Sequence, residues 1–182
     1  MIALYDRTTA GLSRAGDGLL PLASRFVFAA VLFMYYWNSG LTKVGDSLFS
    51  PSLGAYAQIF PKAMEAAGYD VSQMTGFHTL IVLAGTWAEF ILPILIVIGL
   101  LTRFAAIGMI GFIIMQSLTD LFGHGGIAHD GTLGAWFDGA SDSLILDQRA
   151  FWVLGLMILV FKGAGWLSVD RLLSAKRAGP AI

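Results

Sequence analysis

The chain has 182 residues, of which 57% are hydrophobic and only 13% charged, with a net charge of −1 and a mean hydropathy of +0.74. A soluble domain carries about 25% charged residues, so this composition excludes an ordinary water-soluble globule and points to a membrane class. A near-neutral chain offers no basic face for nucleic acid, and the absence of cysteine excludes disulfides, thiol redox catalysis, covalent haem attachment and Cys-ligated clusters together.

A bilayer core of roughly 30 Å needs about 20 mostly apolar residues per helix. Residues 1–18 carry Asp6, Arg7, Arg14 and Asp17 and read as a polar segment before the first apolar run. That run starts near Leu19, is longer than a signal-peptide core and lacks a small-residue cleavage pattern, so it reads as a retained helix. The pattern predicts four transmembrane helices, at about 19–43, 78–101, 103–122 and 150–166. The second and third are joined by Leu101-Thr102-Arg103 alone and form a tight antiparallel hairpin. Residues 44–77 contain Pro51 and Pro61 and a candidate surface helix from Ala55 to Ala67, while 123–149 form a Gly- and Asp-rich loop. No strand is evident. Residues 173–182 form a terminal tail.

Counting Lys and Arg by side gives the orientation. With the amino terminus inside, the inner side holds Arg7, Arg14, Arg25, Arg103, Lys162, Arg171, Lys176 and Arg177, and the outer side only Lys43, Lys62 and Arg149. The expected fold is therefore an all-α four-helix membrane bundle, N-in and C-in, with two long extracytoplasmic loops.

Charges at membrane depth are costly and each needs a reason. Glu89 sits near the middle of the second helix and must be protonated or paired. Arg25 and Lys43, 18 residues apart, share one face of the first helix with Tyr36 and Gly40 between them. His78 and Glu89 share a face of the second helix, and Gln116, Asp120 and His124 share one on the third. Given the alternating helix directions, Asn38, Lys43, His78, Gln116, Asp120 and His124 fall in the outer half. This arrangement predicts an outward-opening polar pocket floored by Glu89, with Arg25 approaching from below. Pro93, four residues after Glu89, removes a helical donor and frees the Glu89 carbonyl. The competing reading is an ion pair that only locks the bundle. Gly40, Gly85, Gly108 and Gly111 suit close helix approach. His78, Asp120, His124 and His129 could together hold a metal ion at the outer surface, although no recognised ligand motif is present. No nucleophilic triad or phosphate-binding loop is evident.

Several short motifs resemble the DoxX family. Arg25 early in the first helix, followed by Asn38-Ser39-Gly40-Leu41-Thr42-Lys43 at its end, is similar to the family's Gly-x-x-Lys signature. Ala88-Glu89-Phe90, then Ile98-Gly99-Leu100-Leu101-Thr102-Arg103, resembles its second-helix pattern, and Gly165-Trp166-Leu167-Ser168-Val169-Asp170-Arg171 its carboxy-terminal end. The likeness covers about residues 19–172; the long loop at 123–149 departs from it. The resemblance implies a four-helix bundle of the cell (inner) membrane. Family members include subunits linked to quinone-dependent oxidation, and others tied to oxidative or metal stress. Three readings follow: an accessory subunit of a redox system, with a quinone headgroup beside Glu89, Lys43, Tyr36 and Trp87; a non-catalytic structural subunit docked onto other membrane proteins; or a small transporter or metal-handling protein. None makes the chain an enzyme on its own.

Overall fold

The computed structural model describes residues 1–177. Four helices are long and apolar enough to cross a membrane: α1 (Ile2–Lys43), α4 (Gly76–Ile98), α5 (Thr102–Gly123) and α7 (Leu144–Lys162). The connections carry a two-stranded hairpin, β1 (Val44–Ser47) with β2 (Ser50–Pro51), and the short helices α2 (Leu53–Ile59), α3 (Pro61–Ala66) and α6 (Asp130–Leu133). A terminal helix α8 (Val169–Arg177) follows the fourth span. Residues 178–182 of the expected tail lie outside the described residues.

The first helix starts at Ile2, not near Leu19. Hydropathy reports the solvent a segment prefers; helicity depends on backbone propensity, and residues 2–18 contain no proline to stop it. At 1.5 Å per residue the 42-residue helix is about 63 Å long, roughly twice the hydrocarbon thickness. The fourth span also starts earlier than expected. The Asp147 carboxylate accepts the Ser143 N–H at 2.9 Å, so the π-helical turn Leu144–Arg149 precedes the regular helix. It ends at Lys162 because Gly163 turns to φ +80°. The expected surface helix at 55–67 is broken at Phe60 (φ −126°, ψ 58°), where Pro61 supplies no N–H and opens α3 at its first position. The short β1–β2 hairpin stands where the sequence, lacking an alternating apolar pattern, gives no strand signal.

The second span ends on Gly99 in the left-handed region, φ +70°. Leu100 N–H bonds the Leu95 carbonyl and Gly99 N–H that of Ile96, a full Schellman closure. The second span packs against the first and third, and the fourth against the third and first. The core is apolar and tightly filled: Phe28, Leu32, Tyr36, Ile96, Met109, Ile113, Leu156 and Leu159, with Ala105 and Ala106 admitting a close approach. A smaller cluster of Ala55, Tyr56, Met64 and Val82 fastens α2 and α3 to the second span. Outward faces of the spans expose Phe26, Phe104, Phe151 and Phe161, the surface a bilayer covers.

Candidate functional site

A cavity of about 630 Å³ lies between the first three spans, near the end that carries the long connections. Its walls are made of small and apolar residues, among them Ala84, Gly85, Ala88, Gly108, Gly111 and Phe112, with Gln58, Ile59 and Phe60 above. The glycines expected to serve close helix approach divide into two kinds. A Cβ on Gly40 would meet the Phe90 ring at 2.6 Å, and one on Gly108 would meet Leu92 at 3.1 Å, so these two do admit neighbours. A Cβ on Gly85 would meet only Ile59 at 3.4 Å, and one on Gly111 nothing within 4 Å. Those two leave room for the cavity.

The Gly40–Phe90 approach brings the end of the first span against the middle of the second. Lys43 Nζ lies 3.0 Å from both Glu89 oxygens and donates to Ser39 Oγ at 2.7 Å. Ser39 Oγ in turn donates to Glu89 Oε1 at 3.0 Å. The ring is closed, and its charged side chains are 6% and 3% exposed. A buried charge must be paired and hydrogen-bonded, and here each charge meets that condition. Helical spacing puts Ser39 one turn before Lys43, so both reach Glu89 from one face.

A second ion pair stands at the edge of the cavity, with the Arg149 side chain 4% exposed and that of Asp120 30%. Arg149 Nη2 donates to Asp120 Oδ2 at 2.6 Å and its Nη1 to Ser117 Oγ at 2.9 Å. Both residues of the pair lie in π-helical turns, Thr119–Gly123 and Leu144–Arg149, the rarer geometry that often re-aims side chains at functional positions. Sequence reasoning assigned Arg149 to a loop. A signal was available: Asp120 and Arg149 stand at one height on antiparallel spans, and a carboxylate there needs a base. Asp120 lines the 630 Å³ cavity, whereas Arg149 and Ser117 line an apolar groove of about 530 Å³ on the other side of the third span.

Gln116 Nε2 donates to the Tyr35 hydroxyl at 2.8 Å, and both residues line the cavity. Tyr36 does not. It is fully buried behind Tyr35 and edge-on to Phe112, and its hydroxyl has no hydrogen-bond partner among the described residues. Asn38 is exposed and faces away from the cavity. Trp87 packs on Phe49 and Phe90, outside the cavity wall.

Arg25 does not approach Glu89. Its guanidinium donates to the carbonyls of Ile96 at 2.9 Å, Val97 at 2.6 Å and Ala164 at 2.9 Å, and to that of Leu167. Ile96 is seven residues past Glu89, about 10 Å along the helix, beyond the reach of the side chain. The cation instead closes the carboxy-terminal carbonyls of the second span, where the helix dipole favours it. Asp170 completes this clamp. Its carboxylate accepts Leu101 N–H at 2.8 Å and Thr102 N–H at 2.9 Å, capping the third span. Burial pushes the Asp170 carboxyl up, but the Thr102 and Leu101 donors and Arg25 outweigh that and hold it below its ordinary value. A Cβ on Gly99 would lie 2.6 Å from Ser168 and 2.9 Å from the Arg25 guanidinium carbon. The motif residues Arg25, Gly99 and Asp170 therefore form one structural joint.

The histidines do not converge. His78 bonds Thr75 as part of the helix cap and packs against Phe60. His124 bonds the Gln58 carbonyl at 3.0 Å, and His129 precedes α6 in the exposed loop. Among the described residues no three His, Cys, Asp or Glu side chains gather as a metal site requires. The expected metal set of His78, His124 and His129 is corrected accordingly: the three lie on separate elements, His78 is bonded within its own helix cap and His124 to the Gln58 carbonyl of another element.

No curated protein and no solved structure matches the chain. A DoxX family model matches residues 20–124, which take in the first span from Leu20 onward, the second and third spans, both sides of the Lys43–Glu89 ring and the whole cavity lining. That match covers more than half of the chain, and the protein belongs to the DoxX family.

Proposed function

We propose that this multi-pass membrane protein is an accessory subunit of a redox system of the cell (inner) membrane, and that its cavity takes the headgroup of a quinone-type lipid. The observation that carries this reading is the cavity itself. Its volume of about 630 Å³ falls within the roughly 300–1,000 Å³ of small-ligand sites. It combines apolar walls for a ring and tail with a few convergent polar groups: Tyr35, Gln116, Asp120 and the Ser39–Lys43–Glu89 ring. The amino-terminal turns of the first helix and the connections at 44–75 and 124–143 are surfaces for neighbouring subunits in such an assembly. The membrane domain of about residues 19–172, with N-in and C-in orientation, is part of the proposal.

The test is ligand binding by purified full-length protein in mild detergent. A short-chain ubiquinone analogue is titrated against tryptophan fluorescence, alongside native mass spectrometry of what copurifies. Saturable binding is expected, and Gly111→Leu should abolish it, because the new side chain enters open space and fills the cavity. Retained binding in Gly111→Leu, with normal folding, would remove the cavity from the reading.

A second reading has one observation in its favour. The Lys43–Glu89–Ser39 ring satisfies itself internally, as a bundle lock would. A structural subunit of that kind would lose its fold with Glu89→Gln. A ligand-binding one would keep its fold and lose affinity.

A further inference from the structure

The first turn of the terminal helix α8 is bonded to one end of the bundle. Asp170 N–H donates to the Gly99 carbonyl at 2.8 Å, its carboxylate holds Leu101 and Thr102 N–H, and Ser168 Oγ accepts Arg171 N–H at 3.2 Å. Residues 99–101 are the turn between the second and third spans, so these bonds set α8 at the depth where those spans leave the hydrocarbon. Beyond that turn the protein leaves the helix bare: every residue from Arg171 to Lys176 is exposed, Leu172 at 65% and Leu173 at 43%. Val169, Leu172, Leu173 and Lys176 follow at i, i+3, i+4 and i+7, the spacing of one helix face. Helices shorter than about 12 residues are marginal in water, so a nine-residue helix needs that face covered.

Charge at this end is unevenly matched. Asp17 is paired with Lys162, and the Asp170 carboxylate is taken by backbone amides. Arg103, Arg171 and Lys176 have no carboxylate within ion-pair distance among the described residues. A Cβ on Gly163 would lie 3.4 Å from Arg103 Nε, which keeps that guanidinium beside the end of the fourth span. Lys176 closes the apolar face, where its four-carbon stem can follow the leucines and carry the ammonium to the surface.

We infer that α8 is an interfacial helix. It sinks Leu172 and Leu173 into the headgroup–acyl boundary of the leaflet at this end and holds phosphates of anionic phospholipids with Lys176 and Arg103. The bilayer is the cover that fits, because it meets the helix at the depth its first turn fixes. It offers hydrocarbon to the leucines, and its anionic headgroups supply the charge that the protein lacks there.

The chain has no cysteine, so Leu172→Cys and Ser174→Cys, on opposite sides of α8, can each carry one environment-sensitive fluorophore. In vesicles of phosphatidylcholine and phosphatidylglycerol, the label at 172 should be blue-shifted and quenched by chain-brominated lipid, and the label at 174 neither. Water-like emission from both would overturn the inference. So would a shielded label at 172 that brominated lipid leaves unquenched, since protein would then be the cover. Headgroup selectivity is read by native mass spectrometry of the full-length protein with the two lipids in competition. Wild type should retain phosphatidylglycerol preferentially. One basic side chain near an anionic surface contributes about fivefold in affinity, so Lys176→Gln should cut the preference by that factor and Lys176→Arg should keep it. Equal retention of the two lipids by wild type, or an unchanged preference in Lys176→Gln, would overturn the assignment.

Discussion

Removing one half of the Lys43–Glu89 pair should cost far more than replacing both halves. At 3.0 Å and an effective dielectric constant near 20, two unit charges attract by about 5–6 kcal/mol. Burial of both side chains, at 6% and 3% exposure, opposes this with a desolvation penalty of several kcal/mol per ion. The two nearly cancel, so the pair adds little net stability, but a lone survivor keeps its penalty and loses its partner. Lys43→Met alone and Glu89→Leu alone should each destabilise by about 3–5 kcal/mol. The double variant should stay within about 2 kcal/mol of wild type, because apolar side chains of similar volume fill the space and the Ser39 hydroxyl can bond its own helix backbone. The double-mutant cycle, read by reversible unfolding in mild detergent, should therefore give a coupling of at least about 4 kcal/mol. Additive losses would refute the argument and imply that Glu89 does not carry a charge in the folded protein.

Gly40→Ala places a methyl 2.6 Å from the Phe90 ring and should lower stability by about 1–3 kcal/mol; Phe90→Leu should recover most of the loss in thermal unfolding. Arg25→Ala frees four buried carbonyls and should cost about 3 kcal/mol or more, seen as reduced expression and a lower Tm, with quinone binding of the surviving folded fraction unchanged. Asp170, held below its ordinary value, stabilises the fold at neutral pH and loses that contribution as pH falls below about 4; Asp170→Asn should flatten the acid limb of the stability profile. The chain has no cysteine, so Asp130→Cys and Lys176→Cys give clean single labels, and they should react from opposite sides of the membrane. Labelling from one side would remove the proposed topology.

The sequence by itself determined the four spans, because a bilayer tests each segment separately for twenty or so apolar residues and that property is local. It also flagged Glu89, since a carboxylate inside an apolar run is conspicuous wherever the neighbours lie. It could not choose between Arg25 and Lys43 as partner, and only the packing of Gly40 on Phe90 set the depth at which the two helices meet. Arg25, read as a pocket residue, turned out to be a cap on the second span, because its role depends on backbone carbonyls brought together from residues 96–97 and 164–167. Arg149, read as a loop residue, entered the bundle through a π-helical turn that hydropathy does not report. Tyr35 and Tyr36 are chemically alike and adjacent, and a rotation of about 100° per residue puts one on the cavity wall and the other in the core. Gly85 and Gly111 read as contact glycines and became cavity wall, because whether an absent side chain means closeness or space depends on what stands opposite. Local physics fixed what each segment is; which side chains meet, and what they leave empty between them, was decided only when the helices packed.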